Sequence, residues 1–153
     1  MDLQAYQDFL IDYFGNLNTD IPIPTLAKLG LMAKSGKVIE LMMAPTPDIS
    51  SITGELGETL SYFLLLLNHL EMPLIAIGNI GDRLQVPAAD NYLFCARQLH
   101  TCVDSFFWLK TARDSRELLI AIMQIGLLYG IKLKDITSYS YAKKCLELGN
   151  SEL

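Results

Sequence analysis

The feature that most constrains this chain is the run at residues 59–67, where Leu60, Tyr62, Phe63, Leu64, Leu65, Leu66 and Leu67 are broken only by Ser61. Read as a helix, it is apolar nearly all round, and such a helix must be covered on several sides. That places it at the centre of a helical bundle or in a subunit interface. The run is too short for a membrane span, which needs about 20 apolar residues. The same holds for the second long stretch, 118–131, which Gln124 interrupts. No β-type alternation occurs anywhere, so the fold class expected is all-α, a helical bundle with no membrane partner.

Helical spacing and breakers divide the rest. Leu3, Tyr6, Phe9, Leu10, Tyr13 and Phe14 form one apolar stripe over residues 2–14, closed by Gly15 and Asn16. After the Pro22/Pro24 loop, a second helix is expected over 25–43, with Leu26, Leu29, Leu31, Met32, Val38, Ile39, Leu41 and Met42 inside. Pro45 and Pro47 break it, and a third helix runs from Ser50 or Ser51 to Glu71. A short helix can begin at Pro73 and pass through Leu74, Ile75 and Ile77. Gly78, Gly81 and Pro87 make 78–88 the hinge candidate. Then come an amphipathic helix over 90–109 (Leu93, Phe94, Ala96, Leu99, Val103, Phe106, Phe107, Trp108), an apolar one over 111–129, and a more polar one over 132–148.

With 153 residues, 51% hydrophobic and 19% charged, the chain suits one domain, 1–153, with a substantial core. The net charge of −5 and pI near 4.9 argue against a nucleic-acid partner. Cys95, Cys102 and Cys145 are odd in number, sit in apolar surroundings and lack metal-ligand spacing, so they read as reduced thiols of a cytoplasmic protein. The N-terminus shows no secretory signal. His69 and His100, lone histidines beside apolar runs, read as hydrogen-bonded packing residues. No catalytic triad pattern, P-loop or dinucleotide fingerprint is present.

Sliding the sequence by about 59 residues lays Glu58-Thr59-Leu60 on Glu117-Leu118-Leu119 and the 72–77 segment on 131–136. Identities are few, but helix, break and next-helix onset agree together. Two sub-repeats are therefore expected, about 1–80 and 88–150.

The sharpest polar constellation is Glu55-Leu56-Gly57-Glu58, two carboxylates three apart on one helical face. Such a pair holds a hard cation when a second helix adds oxygens, and otherwise is a solvated first turn. Its context resembles a known family. Leu29-Gly30-Leu31-Met32-Ala33-Lys34-Ser35-Gly36-Lys37-Val38, then Glu55-Leu56-Gly57-Glu58 before Leu60-Ser61-Tyr62-Phe63, and the Leu3–Gln7 opening resemble the MazG-like all-helical nucleoside triphosphate pyrophosphohydrolases. The resemblance covers about residues 2–85, and more faintly 90–147 as a second copy. It implies an ExxE helix facing an ExxD helix, with four acids holding Mg²⁺ for release of pyrophosphate from a nucleoside triphosphate.

This chain departs from that pattern. Glu55 and Glu58 stand at the second acid pair, but Lys34 and Lys37 stand at the first. In the second copy Asp114 and Glu117 are retained, and Arg97 and His100 stand opposite, in a register that no strong anchor fixes. Four carboxylates attract a cation strongly, whereas two carboxylates and two ammoniums cancel. A Lys–Glu contact at about 4 Å is worth about 4 kcal/mol at an effective dielectric of about 20, before desolvation. Catalytic residues and a Mg²⁺ cofactor are therefore not expected.

Two roles remain for the basic residues. Lys34 and Lys37 can pair with Glu55 and Glu58, with Arg97 on Asp114 or Glu117, or the lysines can contact a phosphate directly. Further phosphate contacts expected from the resemblance are matched only by Asn79 and Arg83, and in the second copy by Lys143 and Lys144, a pair that reads as solvated surface. Tyr139, Tyr141 and Trp108 can stack a base or pack. The function expected is a catalytically degenerate MazG-like protein acting in nucleotide binding or sensing, or in protein association, with a homodimer possible. One alternative is an active Mg²⁺-dependent hydrolase whose metal ligands are Glu55, Glu58, Asp114 and Glu117, with Glu40 or another subunit contributing. Another is a structural or adaptor bundle.

Overall fold

A computed structural model describes residues 1–17, 19–74 and 84–151, with the side chains of the last two of these left aside. Among them are six α-helices and no strand: α1 (Leu3–Gly15), α2 (Ile23–Met42), α3 (Ile49–His69), α4 (Tyr92–Leu109), α5 (Ala112–Leu128) and α6 (Leu133–Ser151), with a 3-10 turn at Ala89–Asn91 leading into α4. The short helix expected at 73–77 and most of the 78–88 hinge lie outside the described residues.

Local chemistry sets the ends. Asp2 caps α1 by accepting from the Ala5 N–H at 2.8 Å, and Asp48 caps α3 by accepting from Ser50. Pro24 sits in the first turn of α2, where its missing N–H costs nothing. Thr111 and Asp114 form a reciprocal capping box on α5.

The apolar run lies within α3, which packs on α1, α2, α5 and α6 at once. Leu60, Phe63, Leu64, Leu66 and Leu67 are fully buried, and one continuous core joins them to Leu10, Leu31, Leu99, Phe106, Leu118, Ile122 and Ile136. The tightest helix pairs are α2 with α3 and α4 with α5. Phe63 of α3 meets Phe106 of α4 edge-on at 5.5 Å, tying the two pairs together.

Two glycines set how closely α3 meets its neighbours. The Tyr62 ring lies over Gly30 of α2, 2.5 Å from where a Cβ would stand. Gly57 brings α3 against α6, where a Cβ would lie 2.8 Å from the Ser140 Cβ.

Several expected interior positions are on the surface instead. Leu29 and Met32 of α2, and Leu93, Phe94 and Trp108 of α4, are exposed. Helix α2 buries a narrower stripe of Ala27, Leu31, Ser35, Val38 and Met42, which leaves Leu29 and Met32 facing outward. In α4 the buried stripe is Cys95, Ala96, Leu99, Val103 and Phe106, so Trp108 falls on the far side and is 80% exposed. Cys95 and Cys102 share a face as free thiols, and burial pushes both thiol pKa values up. No helix among the described residues is long and apolar enough to cross a membrane.

Candidate functional site

Glu55 and Glu58 lie one turn apart on α3, between α2 and α6. The Lys34 ammonium of α2 stands 3.6 Å from Glu55 Oε2. That distance is an ion pair without a hydrogen bond, and the buried Oε2 has no hydrogen-bond donor. Lys37 does not reach either glutamate; it pairs with Glu40 of its own helix at 3.3 Å. One turn along α2 its long side chain lies on the outer surface, where an i,i+3 partner is nearer.

The cation on Glu58 comes from α6. Lys144, expected as solvated surface, is only 2% exposed and donates to Glu58 Oε1 at 2.7 Å. It also donates to Ser140 Oγ at 3.3 Å and lies 5.8 Å from the centre of the Tyr13 ring. Sequence reasoning missed this because Lys143 and Lys144 are adjacent and look alike. Their places differ by about 100° around α6, so Lys144 turns into the bundle while Lys143 stays exposed. The only forward signal was Gly57, whose lack of a side chain lets α6 approach closely enough for Lys144 to reach.

A buried hydroxyl chain continues inward. Tyr6 of α1 donates to Ser140 Oγ at 2.5 Å and lies 2.6 Å from Ser61 Oγ, which also bonds the Gly57 carbonyl at 2.7 Å. Burial pushes the Tyr6 phenol up to about 12, against the opposing help of Ser140 and Ser61. Tyr13 is raised to about 12 by burial and by its bond to Glu147.

The second-copy residues are arranged differently. Arg97 is exposed and makes no ion pair with Asp114 or Glu117. Asp114 is taken up by the Thr111 cap, where its carboxylate accepts from both the Thr111 N–H and hydroxyl. Arg113 holds Glu117 at 3.1 Å from one turn away. His69 and His100 are exposed and show none of the expected hydrogen bonds. His100 lines a small groove between α4 and α2 beside Met32, Val103 and Phe107. Asn79 and Arg83 lie outside the described residues.

These residues do not fit a divalent cation. An ammonium lies at 2.7 Å from Glu58 and another at 3.6 Å from Glu55, where a cation would have to be. Asp114 and Glu117 are committed on another helix. Among the described residues no three His, Cys, Asp or Glu side chains converge on one point.

Beside this ionic cluster, α2, α3 and α6 enclose an open cleft of about 430 Å³. Lys37 and Leu41 line one wall, Ser50, Ser51, Gly54 and Glu55 the floor, and Tyr139 and Lys143 the other wall. Tyr139 lies over Gly54, whereas Tyr141 packs edge-on against Phe9 at 4.7 Å. No protein-family model, curated protein or solved structure matches the chain.

Proposed function

We propose that this chain is a MazG-like bundle that binds or senses nucleotides without hydrolysing them. The observation that carries this is the buried Lys144–Glu58 ion pair, which places a fixed ammonium on the carboxylate that a metal would need. The order and spacing of the 29–38 and 55–63 segments support the family resemblance. The paired α2–α3 and α4–α5 helices agree with duplicated halves. Displacing Lys144 to admit Mg²⁺ would leave a buried ammonium unpaired, which costs several kcal/mol.

The test is pyrophosphate release from a panel of nucleoside triphosphates with Mg²⁺ or Mn²⁺. The expected result is no turnover above the buffer rate. Rapid turnover of any of them, abolished by Glu58→Ala, would overturn the proposal in favour of an active hydrolase.

The exposed Phe94 and Trp108 favour a second reading, an adaptor bundle that works by protein association. It expects a concentration-dependent mass in sedimentation that Trp108→Ser shifts toward the monomer. A mass unchanged by concentration and by that substitution would remove self-association from consideration.

A further inference from the structure

We infer that the cleft between α2, α3 and α6 is a metal-free site for a phosphomonoester carrying a flat ring, with Lys37 and Lys143 on the phosphate and Tyr139 against the ring. This rests on the nucleotide-binding proposal and gives it a place and a ligand class.

The cleft's volume of about 430 Å³ falls within the usual range for small-molecule sites, about 300–1,000 Å³. Two lysines face it from opposite walls, α2 and α6, against one lining carboxylate. That carboxylate, Glu55, already has Lys34 beside it. The Lys37–Glu40 pair is exposed on both sides, so the ammonium can exchange Glu40 for a phosphate at little cost. Lys143 forms no ion pair among the described residues.

Ser50 and Ser51 bring the first turn of α3 to the floor, although Asp48 already accepts from the Ser50 N–H and the Ser51 hydroxyl. The positive charge therefore comes from the lysines. A phosphomonoester carries about −1.5 to −2 at neutral pH, which two ammoniums match. A triphosphate brings more charge than they neutralise, and its extra phosphates would meet Glu55. The Tyr139 ring, 43% exposed and resting on Gly54, supplies a flat face at the rim for stacking.

The experiment is calorimetric titration of the whole chain in EDTA with nucleoside monophosphates, the matching triphosphates and nucleosides, ribose 5-phosphate, and inorganic phosphate. Saturable binding of a monophosphate is expected, tighter than that of its triphosphate. Lys37→Ala and Lys143→Ala should each weaken it at least about tenfold. Tyr139→Ala should weaken nucleotide binding and leave inorganic phosphate unaffected.

Nucleotide binding that both lysine variants retain at full strength would overturn this site and leave nucleotide binding standing. Lysine-dependent binding of ribose 5-phosphate that a base does not improve would keep the phosphate contacts, but would overturn both the ring contact and the nucleotide proposal. No binding of any phosphate compound would overturn both. Circular dichroism of each variant separates loss of contact from loss of fold.

Discussion

Two acid pairs at the same spacing, Glu55/Glu58 on α3 and Asp114/Glu117 on α5, are put to opposite uses. On α3 the carboxylates reach other helices: Lys34 of α2 meets Glu55, and Lys144 of α6, 86 residues away, meets Glu58. On α5 both stay local, one in the Thr111 cap and one on Arg113 a turn away. The difference follows from surroundings. Helix α3 lies at the centre with neighbours on both flanks of its acids, and Gly57 lets α6 come close. On α5 Asp114 is buried against its own N-cap and Glu117 is exposed beside Arg113, so each finds its partner within a turn of its own helix. Spacing alone therefore does not fix what a carboxylate pair does; the helices packed beside it do.

The largest effect should come from Lys144→Met, which leaves Glu58 without its ammonium in a mostly buried position. A loss of about 3 kcal/mol is expected in urea unfolding, and Lys144→Met with Glu58→Leu should recover most of it. A single variant as stable as the parent would break the contrast between the two acid pairs. Gly57→Ala should cost about 2 kcal/mol, because the added Cβ would lie 2.8 Å from that of Ser140. Gly36→Ala on α2, with open space around it, should instead stabilise by up to about 1 kcal/mol.

Tyr6 sharpens the comparison through pH. Its pKa is raised from 10.0 to about 12 in the fold, so the unfolded chain loses the proton first. The stability it contributes is complete below pH 10 and is lost as pH rises from 10 toward 12. Tyr6→Phe should flatten that decline in a pH series of thermal melts, with the remainder shared among the other tyrosines shifted the same way, Tyr13, Tyr62, Tyr129 and Tyr141. The local pair should matter least. Asp114→Ala should cost about 1 kcal/mol through the lost cap. Arg113→Ala should cost under about 0.5 kcal/mol, and either effect read by thermal melting as equal to that of Lys144→Met would erase the distinction.

The helices were legible because 3.6-residue periodicity and the proline and glycine breaks act locally: α5 is expected at 111–129 and found at Ala112–Leu128. The central place of α3 was legible too, since Leu60–Leu67 cannot face water on any side. What the sequence hid is which stripe of an apolar-rich helix turns inward, as Met32 and Trp108 show, because that depends on where partners lie. In the candidate site, Lys34 opposite Glu55 was legible from the order of the two segments. Lys144 opposite Glu58 was not, since no local pattern links residues 86 apart.

The outward position of Trp108 decides what light can report about this molecule. It is the chain's single tryptophan and its indole is already bathed in water, so unfolding should scarcely move its emission. Far from being a gauge of the core, it is a lamp on the outer rim of α4. A blue shift in that emission would mark something settling onto the surface, while the core's own melting stays dark at that wavelength.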